Sequence, residues 1–126
     1  MLADWDRRSR RSAILSDLAV IGARGQPLPF EGRLNASQMW GALYVLEGSR
    51  LGARFILAKL GRTTATRFLE HGEGARLWPT FLEILEAHPC VRRNPALALG
   101  AANAVFELFE TALNDAAGAP ELAIAS

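Results

Sequence analysis

Two sets of residues in this 126-residue chain could do chemistry. One is a strip of glycines, Gly41, Gly48 and Gly52, inside the segment WGALYVLEGSRLGARFILAK at 40–59. The other is a scatter of polar groups: Ser49 within that segment, His71 beside Glu70 and Glu73, His88 before Pro89, and the run Arg7, Arg8, Arg10, Arg11. Glycine inside a helix costs about 0.5–1 kcal/mol relative to alanine, so three of them need a reason. At 3.6 residues per turn the three fall close together on the helical wheel, with Tyr44 and Phe55 on one side and Val45 and Ile56 on the other. The strip is therefore floored by backbone and walled by aromatic and branched side chains. Either another backbone packs there or something flat and apolar lies in it, and spacing alone favours packing.

The polar groups promise less. The arginine run could meet phosphate, a propionate or an acidic partner protein. Asp4 and Asp6 partly neutralise it, however, and a solvated helix end is the simpler reading. His71 stands just before Gly72, where a histidine more often caps carbonyls than binds a metal or haem. His88 falls at a helix end, where the dipole suits an exposed imidazolium. No pair of Cys or His has zinc-site spacing. No glycine-rich phosphate loop follows a strand, and no G-x-S-x-G elbow surrounds Ser49.

These residues need helices to hold them, and the sequence marks several. Asn35 and Gln38 form a capping-box pattern for a central helix that Gly61 should stop. Its surface is apolar almost all round apart from a polar seam of Glu47, Arg50 and Arg54, which predicts a central helix. A first helix is expected over about 3–21, with Ile14, Leu15, Leu18 and Ile21 as its apolar face. The stretch 22–34, with Gly25, Pro27, Pro29 and Gly32, is the main break. Short helices are expected over 64–71 and 75–88, the latter with Leu77, Phe81, Leu82 and Leu85 on one side and Trp78 in the core. Asn94-Pro95 starts a last helix to about 115, whose Leu99, Ala102, Phe106, Phe109 and Leu113 predict a continuous core stripe. The tail beyond, with Gly118 and Pro120, should fray. The expectation is an all-α domain over 1–126, with five helices at most.

Composition sets the wider frame. Half the residues are apolar and the net charge is +1, which argues against a protein built to hold nucleic acid. The single Cys90 fits a reducing compartment. No stretch reads as a signal peptide or as long enough to span a bilayer, so the expectation is a cytoplasmic protein with no membrane partner.

The segment GALYVLEGSRLGARFI closely resembles the distal helix of bacterial haem oxygenases, particularly those associated with bacteriophytochromes. The likeness extends to DWDRRSRRSAILSDLAVIG, RFLEHGEGARLWPTFL and GAANAVFELFETAL, and so covers most of the chain. It implies a haem oxygenase-like helical bundle in which the distal helix lies over haem and its glycines admit the ring. Gly48 and Gly52 match the two distal glycines, and Ala53 stands where a second glycine is usual. Ser49 matches a distal polar position, and Gly41, Tyr44 and Phe55 would complete the haem contacts. The implied activity is oxidative cleavage of haem, both substrate and cofactor, to biliverdin, carbon monoxide and iron, with electrons from an external donor. Family members bind iron through a histidine on an N-terminal proximal helix. Numbering from Met1, that region is expected to be missing, leaving no metal ligand from this chain. Haem would then bind weakly without the usual oxygen activation, and an exposed apolar face would invite self-association. The alternative is a non-catalytic helical module acting in protein association.

Overall fold

The computed structural model describes residues 2–25 and 33–117. These form helices α1 (Trp5–Arg8), α2 (Arg11–Ile21), α3 (Ala36–Leu60), α4 (Arg67–Glu70), α5 (Leu77–Ala87), α6 (Pro89–Arg93) and α7 (Pro95–Ala117), with no strand among the described residues. The all-α expectation holds, although the helices outnumber the five expected. Pro27, Pro29 and Gly32 of the main break, and Gly118 and Pro120 of the tail, lie outside the described residues.

α3 is the axis. Its 25 residues run about 37 Å at 1.5 Å rise. The Asn35 side chain accepts from the Gln38 amide at 2.9 Å, and the Gln38 side chain accepts from the Asn35 amide at 3.0 Å. Gly61 closes the other end, its amide donating to Leu57 O. Against α3 lies α7, which starts at Pro95 as the sequence indicates. Gly41 permits the contact: a Cβ there would sit 1.9 Å from Ala98 O, so the two backbones meet directly. Ala42 and Val45 of α3 pack on Ala102 and Val105 of α7. A second cluster joins Leu2, Trp40, Leu43 and Phe81, with Trp5, Met39, Trp78, Leu85 and Val91 packed around it.

Three expectations about packing change. The core stripe foreseen on α7 is largely its outer face: Leu99 is 63% exposed and Leu113 69%, while Phe106 and Phe109 are also exposed. Only Ala102 of that set is buried, alongside Ala98, Ala101 and Val105. Small residues won because Gly41 draws α7 too close for large ones. Next, the first helix breaks at Ser9–Arg10, and Ile14, Leu15 and Ile21 are exposed, while Asp17 is buried. Asp17 turns inward because its carboxylate accepts from the amides of Arg67 at 3.0 Å and Phe68 at 2.8 Å, the orphan donors at the start of α4. Finally, α7 is long and apolar enough over Pro95–Ala116 to cross a bilayer by length and composition, which the sequence reading had not foreseen. A core-helix role passes the same test, and its alanine face does pack on α3.

Candidate functional site

The glycine strip does not form one open groove. Gly41 is taken up by the α7 backbone, the packing alternative. Gly48 is covered by the Trp78 indole, 3.3 Å from where a Cβ would stand. Trp78 in turn meets Tyr44 at 5.5 Å and Phe81 at 5.9 Å between ring centroids. Over Gly52 there is open space, with nothing within 4 Å of a built Cβ.

Two cavities meet at that opening. One, about 330 Å³, lies between α3 and α7 over Tyr44, Gly48 and Leu51, with Trp78 and Phe106 as walls. The other, about 670 Å³, lies between the α1–α2 turn, α3 and α4, and is lined by Ala53, Ile56, Phe68 and three arginines. Ser49, Gly52 and Phe109 line both, so the trench is continuous across the Gly48–Gly52 step of α3. Both volumes lie in the range of small-molecule sites. Phe55 lines neither; it is exposed, with Lys59 Nζ 4.9 Å from its ring centroid.

Beneath the trench floor runs a buried ionic network that sequence reading missed. Arg8, expected at a solvated helix end, is 1% exposed, as is Glu47. Arg8 Nη1 donates to Glu47 Oε2 and to Leu77 O, both at 2.8 Å, and Nε donates to Asp4 at 2.8 Å. The Arg8 guanidinium and its hydrogen bond hold the Asp4 carboxyl below the usual carboxylate range. Arg50 Nε donates to Glu47 at 2.9 Å, and Nη2 donates to Arg8 O at 2.7 Å. Arg10 also turns inward, donating through Nη2 to Leu46 O at 2.6 Å and Ser49 Oγ at 2.7 Å. Ser49 Oγ donates to the same Leu46 carbonyl at 2.6 Å. The signal for this inward turn was faint: Glu47 is the one carboxylate of α3, and Arg50, three residues on, already answers it within the helix.

Neither histidine faces the trench. His71 Nδ1 accepts from Arg50 Nη1 at 3.0 Å, and burial followed by the charges of Arg50 and Arg10 pushes its pKa down. His71 thus bonds as the neutral ring, and protonation would set two cations together. With the folded pKa below the unfolded value, this group's contribution is present above about pH 6.5 and lost as pH falls through the folded pKa. Urea midpoints of the wild type should fall below pH 6.5, and His71→Asn should flatten that decline; an unchanged slope would mean that His71 does not couple. His88, read as an exposed imidazolium, instead caps α6: its Nδ1 accepts from the Cys90 amide at 3.3 Å, and its ring lies 4.6 Å from Trp40. Glu70 and Glu73 pair with Arg62 at the surface. Among the described residues no group of three or more His, Cys, Asp or Glu could hold a metal ion.

Fold and site together define a helical protein whose central glycine-bearing helix opens onto a largely apolar trench of small-molecule volume. Comparison with known proteins makes the class specific. The chain is 32% identical over 115 residues to a heme oxygenase of Xanthomonas campestris pv. campestris (strain 8004), covering 86% of this chain and 70% of that protein. It is 32% identical over 112 residues to heme oxygenase PigA of Pseudomonas aeruginosa, covering 81% of this chain and 57% of that one. No family model matches the chain, and no solved structure matches it significantly. The chain belongs to the haem oxygenase family.

Proposed function

We propose that this chain binds haem across the Gly48–Gly52 step of α3 and serves its oxidative cleavage to biliverdin, carbon monoxide and iron. The observation that carries the reading is the opening over Gly52, where the backbone is bare and cavities meet on both sides. The residues present suit the ring: Tyr44, Leu51, Phe106 and Phe109 offer apolar and aromatic surface, while Gly52 and the small Ala53 let it approach the helix. Gly41 is left out, because α7 occupies its face. No described histidine faces the trench, so this reading assigns no iron ligand within it.

Haem supplies the oxygen chemistry when bound, and electrons come from an external donor. The chain's own part is to orient the ring, exclude water with its apolar walls, and present Ser49 Oγ as the hydroxyl on the trench floor. That hydroxyl is held between Arg10 and Leu46 O, so its direction is set before any ligand arrives. The lone Cys90 suits a reducing, cytoplasmic compartment, and the near-neutral net charge of +1 suits no nucleic-acid partner.

A haemin titration followed by absorbance tests the reading, with Gly52→Leu as the diagnostic variant. A Cβ at 52 meets nothing within 4 Å, so the side chain can extend into the trench and fill it while the fold persists. Affinity should fall about tenfold or more, roughly 1.4 kcal/mol per factor of ten. Equal haemin binding by both proteins would sink this placement. A second reading, self-association, is favoured by the exposed Leu99, Phe106, Phe109 and Leu113 on α7. Sedimentation giving only monomer at high concentration would end it.

A further inference from the structure

We propose that α4 and the turns flanking it form a lid over the larger cavity of the trench, latched by the hydrogen bond between Arg50 and His71 and released when His71 takes a proton. The inference concerns access to the cavity, stands apart from the haem reading, and is tested without haem.

The first observation is what α4 covers and how little apolar packing holds it. Phe68 and Leu69 wall the larger cavity. None of the residues of α4 is fully buried, and elements with so little buried surface open at low free energy. The segment 62–73 lies between Gly61 and Gly74, both at positive φ and both with open space around a built Cβ. Either end can therefore absorb a change of backbone direction.

The second observation is the set of polar ties. Arg62 pairs with Glu70 and Glu73, and the Thr66 hydroxyl donates to Glu70 at 2.7 Å. These partners all lie within 62–73 and would travel together. Ties to the body of the fold are fewer. From α2, the Asp17 carboxylate accepts from the Arg67 and Phe68 amides. From α3, Arg50 Nη1 donates to His71 Nδ1 at 3.0 Å and to His71 O at 3.3 Å, and Arg54 Nη2 donates to Gly72 O at 3.4 Å. From the α1–α2 turn, the Arg10 guanidinium carbon lies 4.7 Å from the Phe68 ring centroid.

One of these ties switches near neutral pH. Arginine has no acceptor, so its bond to Nδ1 needs that nitrogen unprotonated. Protonation sets donor against donor and adds a cation beside Arg50 and Arg10. Glu47, the carboxylate that opposes them, is already committed to Arg8 and Arg50. Carboxylates as a class titrate about two units lower and guanidinium groups far higher, so histidine is the residue type that answers in this range. The closed lid disfavours the proton, which fixes the sign: it is firm at neutral pH and loosens as pH falls.

Amide hydrogen exchange of the full chain tests the lid, resolved by NMR and expressed as protection relative to the unstructured rate. Protection of the Arg67 and Phe68 amides should sit about tenfold or more below that of Leu43 and Val45 in α3, marking an opening of the lid alone. Between about pH 7.5 and about pH 5.5, one proton on a group of ordinary value about 6.5 can shift an opening equilibrium by up to about tenfold. Protection at Arg67 and Phe68 should accordingly fall about three- to tenfold over that interval. His71→Asn keeps an acceptor near the position of Nδ1 but does not titrate, and should hold protection level across it. Three results overturn the proposal: wild-type protection at α4 that is absent or ignores pH, a fall that His71→Asn shares, or α4 amides as protected as those of α3, which would open only with the whole fold. Should His71→Asn not fold, the ring-proton titration of His71 in the wild type decides. Its course must coincide with the loss of protection at Arg67 and Phe68, and a titration elsewhere overturns the lid.

Discussion

Replacing Gly41 with alanine is expected to destabilise the chain by about 3 kcal/mol, at the upper end of ordinary overpacking. The added Cβ would stand 1.9 Å from Ala98 O and 2.7 Å from Ala98 C, both backbone atoms in the first turns of α7. No rotamer change relieves a clash with a carbonyl, so α7 must move away from α3. That motion opens the contact of Ala42 and Val45 with Ala102 and Val105, whose small side chains cannot refill the gap. The paired control is Gly52→Ala, on the same helix and with open space around its Cβ. There the helix-propensity gain of about 0.5–1 kcal/mol should appear unopposed. Thermal melts followed by circular dichroism should therefore shift in opposite directions for one added methyl group. A Gly41→Ala melt matching the wild type would mean that α7 does not lie where this fold puts it.

The same pair of glycines shows what the sequence could and could not say. Its wheel placed Gly41, Gly48 and Gly52 on one strip and offered two uses, packing or a flat ligand. The strip is not used uniformly along its length: α7 packs at Gly41, Trp78 lies over Gly48, and an opening is left at Gly52. Periodicity reports which residues share a face but not which neighbour arrives there. Local signals fared better, because caps are decided within four residues; the Asn35–Gln38 box and the Pro95 start are where the sequence put them. The reading of α7 failed for the opposite reason. Its leucines and phenylalanines outweigh its alanines in any hydrophobic pattern, yet close approach at Gly41 admits only the alanine face. The displaced large residues, Phe106 and Phe109, become walls of the trench.

Arg8 and Glu47 carry the second lesson. Four arginines near a chain start read as a solvated end because nothing nearby demanded them. The demand came from residue 47, 39 positions away along the chain. Separation of that kind is invisible to local pattern, all the more because Arg50, three residues on, already answers Glu47 within the helix. The trench geometry depends on the answer, since the turn between α1 and α2 that presents Arg10 is held by Arg8 and by Arg50 on the Arg8 carbonyl.

Glu47→Ala should accordingly cost about 3–5 kcal/mol, the range for stranding a buried ionic partner. Both Arg8 and Arg50 would lose their shared carboxylate while remaining nearly inaccessible to water. Asp4 could hold Arg8 only through Nε, at the solvent-facing side of the network. Glu47→Gln should cost less, since its amide oxygen can still accept, but it cannot neutralise two guanidinium groups. The triple replacement Arg8→Met, Glu47→Leu, Arg50→Met removes the charges together and should recover part of the loss. Recovery should stop short of wild type, because Leu77 O and Arg8 O would lose the guanidinium donors they now accept from. Urea denaturation of the three proteins at pH 7 measures that order directly. If Glu47→Ala matched the wild-type midpoint, the network would be dispensable to the fold, and the inward turn of Arg10 would need another cause.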